Sequence, residues 1–464
     1  MGAAPIAKPD FSVYHTTERL FEEVARIVAR NPRTMRSHTL AREQGGYSVA
    51  FPVLTIVPGG AAADFAAQGD GAGEGAGTAE ATLSAGAGED AAARVRILFN
   101  YGEHGRELIT SETCLRLLQH LEALGGDSVA SPADVPASLR GVAFVVVPLE
   151  NVNGRARVES GKLCERKNGR GVDTNRNFEV DWGVKEKDYD PAEEYPGTAP
   201  LSEPEAYILN ELASVFKPHA WINVHSGMEA MFVPWDHALE VTDASAGVAM
   251  PPVLAELNRR HCKSKCVVGS GGSSVGYLAH GTASDHMFKL NGVPFSSTWE
   301  IYGDLQAHNN DCFRMFNPVE KAEAEDFAER WAQMVISLAE LFPREWARLV
   351  REQGDSAEAM ALAKAVARGL PPAGAAGGKA AAGASAQKGL GSNKAVQPAH
   401  FHIVGKAGSS HASSLSGQAR ARTSPALHPR KSVVGPAQVR HAETRAHAHT
   451  RTHAHACIHT RTRI

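Results

Sequence analysis

Four short runs in this chain carry no polar face: Arg94–Asn100, Val142–Pro148, Ala220–Ser226 and Ser296–Ile301 are built largely from apolar and β-branched residues. A strand of that kind needs cover on both sides, so each belongs inside a sheet between two layers. Helical patterns separate them, at Leu108–Leu124, Glu203–Phe216 and Glu320–Phe342. Ahead of these, Leu20, Phe21, Val24, Ile27 and Val28 recur at helical spacing and stop at Asn31-Pro32, and Tyr47–Val57 reads as a further strand. Strands alternating with helices predict an α/β fold: a single domain with a mixed, twisted sheet covered by helices on both faces.

Composition sets the limits of that domain. Gly59–Ala93 is almost wholly Gly, Ala and acidic residues. Such a segment buries too little apolar surface to offset chain entropy, so it reads as a disordered insertion in a hairpin between the flanking strands. Beyond about residue 350 the periodicity ends, leaving a domain over 11–350 and a low-complexity tail over 351–464. The formal charge of -3 averages unlike parts. After Leu370 stand 13 Lys and Arg against one acid, Glu443, giving +12, while the first 370 residues carry -15. No apolar run approaches the roughly 20 residues of a membrane helix. The six cysteines are too sparse for a disulfide scaffold and show no zinc-finger spacing. Met1–Phe11 has no basic segment leading into an apolar core, which makes the chain as written cytoplasmic, or secretory if its true start lies upstream.

Four segments carry chemistry. Gly102-Glu103-His104-Gly105-Arg106-Glu107 stands where a strand gives way to a helix, and a His and a Glu three apart there can reach one metal ion; a surface turn is the ordinary alternative. His225 ends a buried strand, where open α/β sheets commonly bind ligands, though a satisfied core histidine also fits. Together His104, Glu107 and His225 make a three-ligand set that leaves zinc an open position. The run from Arg166 to Phe178 holds three arginines beside Asn and Asp, suited to a substrate carboxylate or to another anion. Glu300 lies within an apolar strand, either paired structurally or tuned as a general base.

These segments resemble the zinc metallocarboxypeptidases of the carboxypeptidase A/B family. The likeness runs from about Phe11 to Phe342 through GEHGRE, VPLENVNGR, RKNGRGVDTNRNF, GTAPLSEPE, INVHS, GYLAHGTASD and STWEIYG, in the family's order, with wording nearest a plant and algal branch. The resemblance implies a zinc carboxypeptidase-like fold and one zinc ion held by His104, Glu107 and His225, with Asp173 fixing the tautomer of His104. It implies that Glu300 takes a proton from the attacking water and returns it to the leaving amine, while Arg166 stabilises the oxyanion. Asn175 and Arg176 would clamp the terminal carboxylate, Arg106 would contact the peptide upstream, and Tyr277 would close over the last residue.

Ser284 stands at the base of the specificity pocket and decides nothing there. Asp236 falls where the family's regulatory branch pairs an aspartate with C-terminal Lys or Arg, so a basic preference is expected, and the acidic body would draw cationic peptide ends. The implied partners are peptide and protein C-termini, with no nucleic acid, no membrane span and a monomeric state. No zymogen control is expected, because no pro-domain fits before Phe11. Cys262 and Cys266 suggest a local disulfide or two buried thiols, and a Cys164–Cys312 pairing is also open. Ten of the 21 histidines lie in the tail. They suit weak metal or RNA binding, or a low-complexity extension without function. Within the fold the alternative activity is a zinc deacylase of N-acyl amino acids. From a different class stands an inactive peptide-binding protein, disfavoured because every metal ligand and the base are present.

Overall fold

The computed structural model describes residues 6–65, 94–239, 250–308 and 310–352. The tail beyond residue 352 and residues 66–93 of the glycine-rich segment lie outside the described residues. The domain is built on eight strands: β1 (Met35–Gln44), β2 (Tyr47–Ile56), β3 (Val95–Tyr101), β4 (Val142–Val147), β5 (Ala220–His225), β6 (Met228–Val233), β7 (Val267–Ser270) and β8 (Phe295–Tyr302). They form one mixed sheet in the order β1-β2-β4-β3-β5-β8-β6-β7. Its centre, β4, β3, β5 and β8, is parallel. The two-strand β1–β2 margin and β6 run antiparallel to their inner neighbours.

The apolar runs behave as their composition requires. Alternate residues of the same strand enter two separate cores, with Ile97, Phe99, Phe144 and Ile222 on one face and Leu98, Val145, Val147 and Trp221 on the other. The first face is covered by α1 (Thr17–Arg30), α2 (Leu108–Gly125), α5 (Met250–His261) and α8 (Lys321–Glu352). The second is covered by α4 (Pro204–Phe216) and α6 (Ala283–Lys289). Two further helices, α3 (Val152–Glu159) and α7 (Cys312–Phe316), are short and border the site. Among the described residues no helix is long and apolar enough to cross a membrane.

Several expectations need correction. β2 and β3 do not form a hairpin, because β4 lies between them in the sheet. Nor does the insertion begin at Gly59, because Gly59 N bonds Gly125 O and Ala62 is fully buried. Helix α8 does not stop at Phe342 but runs through Pro343. A proline removes one backbone donor, and the continuation is held by Ala347, which is buried, and by Trp346, whose ring lies tilted against those of Phe342 and His219. Strand β1 escapes composition-based reading because MRSHTLAREQ is charged, as suits an edge strand exposed on one side. Both cysteine pairs are bonded, Cys164–Cys312 and Cys262–Cys266, and Cys114 is free and buried.

Candidate metal centre and active site

The site forms at the carboxyl ends of the central parallel strands. Register places Tyr101 of β3 beside Val224 of β5, and His225 beside Glu300 of β8. The chain leaves β3 through Gly102, at φ +68°, where a Cβ would stand 2.5 Å from Leu149. His104 and Glu107 do not share a helical turn as their spacing suggests. Glu107 is the N-cap of α2, and a tight turn, Glu107 N to His104 O at 3.2 Å, folds the two side chains together. That turn packs so closely on α3 that a Cβ on Gly105 would lie 2.7 Å from the Gly154 carbonyl carbon.

His104 Nδ1 is 2.8 Å from Glu107 Oε1, and His225 Nδ1 is 3.1 Å from His104 Nδ1 and 3.2 Å from Glu107 Oε2. The Nδ1 atoms of His104 and His225 and the Glu107 carboxylate, all on buried side chains, thus face one another. Tetrahedral zinc with bonds of about 2.0–2.1 Å needs its ligand atoms roughly 3.3 Å apart. The donor set and its spacing therefore fit zinc. A second grouping of buried donors, Glu103, His104 and His225, also lies within 4.8 Å. Glu103, however, meets the far side of His225, with Oε2 3.1 Å from Nε2, whereas Glu107 reaches both Nδ1 atoms.

Each imidazole is backed by a carboxylate. Asp173 Oδ1 is 3.2 Å from His104 Nε2, and its Oδ2 accepts from Arg166 Nε at 2.8 Å. Burial opposes ionisation of Asp173, but the Arg166 charge and the bond from His104 outweigh it and hold the carboxyl well below the usual range. Arg166 also turns Nη1 to within 3.2 Å of His104 Nδ1. Glu300 stands across from it, with Oε2 buried and unpartnered. Burial pushes its carboxyl up to about 7, with His225 lowering and Glu107 raising it.

Of the three arginines in the 166–178 segment, Arg170 is tied to Glu203 at 3.0 Å and away from this centre. Arg176 is nearly buried, bonded to Glu194 at 2.8 Å and to the Asn175 carbonyl at 2.9 Å. Asn175 Oδ1 accepts from Ala283 N at 2.9 Å, joining this segment to α6. Tyr277 is 45% exposed, yet loss of water around its hydroxyl raises its pKa, and the charges of Arg176, Arg166 and Glu300 act on it. Arg106 pairs with Glu193 at 2.7 Å and lies over the Phe316 ring. Its partner Glu193 lines a depression of about 420 Å³ together with Cys164, Arg166 and Lys167.

Ser284 is buried with its hydroxyl unpartnered. Burial, with Asp285 close by, raises the Asp236 carboxyl to about 8, while Thr282, Arg176 and His237 act to lower it. Sequence reasoning passed over Glu103, Asn223, Asn100 and Glu150, which form a buried polar row across the strand ends, and Glu193 and Glu194, which engage two of the arginines. Glu103 was visible inside the GEHGRE motif, as a carboxylate directly beside a ligand candidate. The polar residues of β3 and β5 were hidden within runs read as apolar.

A family model described as zinc carboxypeptidase matches residues 74–332. Carboxypeptidase B2 of Homo sapiens is 26% identical over 230 residues, 46% of this chain and 53% of its own length. Carboxypeptidase A2 of Mus musculus is 23% identical over 304 residues, 63% of each chain. The chain thus spans from about half to just under two thirds of these curated relatives. The structure of bovine thrombin-activatable fibrinolysis inhibitor, in complex with tick carboxypeptidase inhibitor, aligns with a TM-score of 0.53 at 17% identity, covering 73% of this chain and 98% of that one. That likeness is one of fold.

Proposed function

The chain belongs to the zinc carboxypeptidase family, and from that premise we propose that it is a metallocarboxypeptidase cutting the last peptide bond of peptides and proteins. One observation supports this most: the Nδ1 atoms of His104 and His225 and the carboxylate of Glu107 converge within 3.2 Å, with Arg166 and Glu300 around them. His104, Glu107 and His225 would hold one zinc ion. When bound, zinc supplies a Lewis acid that polarises a carbonyl oxygen and acidifies water.

The remaining work falls to this chain's own side chains. Glu300, whose carboxyl titrates near 7, accepts the proton of the attacking water and passes it to the departing amine. Arg166, braced by Asp173, presents Nη1 to the carbonyl oxygen as charge develops there. Asn175 and Arg176 bind the substrate's terminal carboxylate, which restricts cleavage to the chain end. Tyr277 folds over the terminal residue and excludes water. Arg106 borders the path of the upstream peptide. Asp236 and Ser284 line the pocket for the terminal side chain, where an ionised Asp236 favours Lys or Arg.

The test is release of the C-terminal residue from a panel of blocked dipeptides, with N-acyl amino acids alongside, with and without a zinc chelator. Chelator-sensitive release from dipeptides is expected. Faster turnover of N-acyl amino acids would replace the peptidase reading by a deacylase one. Glu300→Gln should lower kcat by about 10²–10⁴-fold while the protein keeps its zinc; undiminished hydrolysis removes Glu300 from the mechanism.

A further inference from the structure

The two imidazoles of the metal centre are braced differently. His104 is backed by Asp173, whereas His225 turns Nε2 toward Glu103, whose Oε2 is 3.1 Å away. Glu103 has no exposed surface and is the residue immediately before His104. It is itself braced, because Asn223 Nδ2 donates to Glu103 Oε2 at 2.5 Å. Asn223 lies two residues before His225 on β5, so both side chains leave the same face of the strand. The brace continues across the sheet: Asn100 Nδ2 bonds Asn223 Oδ1 at 3.0 Å and Glu150 Oε2 at 2.6 Å. Register explains the row, since Asn100 of β3 pairs with Asn223 of β5 and with Val147, three residues before Glu150. A chain of fully buried polar side chains thus runs from Glu150 to the far nitrogen of a metal ligand. Burying such groups is costly unless they are hydrogen-bonded to one another.

We infer that Glu103 is a positioning residue for zinc: it holds His225 in the tautomer and ring orientation that turn Nδ1 to the metal, with Asn223 and Asn100 locking Glu103 in place. The inference rests on the assignment of His104, Glu107 and His225 as ligands. A carboxylate accepting the outer N–H of a ligating imidazole orients the ring and raises its basicity, and loss of such a partner typically weakens the metal by about 10- to 100-fold. Glu103 Oε2, 3.1 Å from His225 Nε2, is placed to do so for His225 as Asp173 is for His104, and a single motif, GEHGRE, supplies both a ligand and the brace for another.

The test measures zinc affinity of the full chain by competition with a chromophoric chelator, together with the visible spectrum of the cobalt(II)-loaded protein. Glu103→Ala should weaken zinc by about 10- to 100-fold. Glu103→Gln keeps an oxygen for the His225 N–H but not the charge, so it should lie between wild type and alanine and shift the cobalt bands; it carries the test if the alanine variant does not fold. Glu150→Gln, in the same buried row but touching no ligand, should stay within about threefold of wild type. Glu107→Ala should lose more zinc than Glu103→Ala. Wild-type affinity and unchanged cobalt bands in both Glu103 variants overturn the inference alone. So does an equal loss in Glu150→Gln, which makes the effect one of packing, or a greater loss in Glu103→Ala than in Glu107→Ala, which makes Glu103 a ligand. Failure of the wild-type chain to take up one zinc overturns the ligand assignment as well.

Discussion

The two disulfides differ in what they constrain, and that difference can be measured. Cys164–Cys312 joins residues 148 apart, whereas Cys262–Cys266 joins residues four apart. A cross-link removes loop-closure entropy from the unfolded chain in proportion to the logarithm of loop length, which gives about 5 kcal/mol for the long loop and about 2 kcal/mol for the short one. The double variant Cys164→Ser/Cys312→Ser should therefore lose about 3 kcal/mol more stability than Cys262→Ser/Cys266→Ser. Urea unfolding of wild type and both variants at equal, saturating zinc reads this from the midpoints and slopes. Equal losses, or a greater loss from the short loop, would refute the reasoning. Catalysis should respond less than stability. Cys164 is two residues from Arg166, but Arg166 remains anchored by Asp173 at 2.8 Å, so kcat/KM of the folded long-loop variant should fall by less than about tenfold.

Three further outcomes follow from the site and its surroundings. Asp236, facing Asp285, Thr282, Arg176 and His237, has its carboxyl raised to about 8, so the kcat/KM ratio for C-terminal Arg over Leu should climb between about pH 6.5 and 8.5 and flatten in Asp236→Asn; faster release of Leu than Arg across the whole range would abolish the basic preference. Arg176→Ala should cost about 10- to 100-fold in kcat/KM on peptides with a free C-terminus and leave amidated ones, already poor substrates, unchanged; an equal loss on both would remove the carboxylate clamp. His219 is half-buried with Nδ1 accepting the Arg96 N–H, and loss of water around it holds its pKa down at about 3. The unfolded chain therefore binds the extra proton, so the contribution of His219 to stability is complete above about pH 6.5 and is lost on acidification at up to about 1.4 kcal/mol per unit. His219→Gln should lessen the acid dependence of the urea midpoint between about pH 6 and 4 by that slope, and an unchanged slope would contradict it.

How far the sequence discloses the molecule depends on where each residue sits. The buried strands of the sheet's centre are legible because apolar composition over strand length has few other solutions, and His225 and Glu300 are legible because each interrupts such a run. Edge strand β1 is illegible for the converse reason, since half its side chains meet water. The order β5-β8-β6 is long-range information, absent from any local window. Asn100, Glu103 and Asn223 escape notice because a buried polar residue betrays itself only through its partner, and theirs lie on other strands. The Arg106 ion pair with Glu193 depends likewise on a loop whose path no periodicity records.

The placement of β8 also governs when this site can exist. β5 ends at His225 and β6 begins at Met228, a separation that would suit immediate local pairing, yet β8 lies between them. Local pairs close faster than distant ones, so during synthesis β5 and β6 are free to meet long before residues 295–302 have been made. Productive folding must hold that slot open, or reopen it, until the last central strand arrives. His104, Glu107 and His225 are all present by then, but the proposed base is not, since Glu300 enters with the inserting strand. On the proposed assignment, a growing chain can therefore gather its metal ligands early and still lack its base until the sheet is complete.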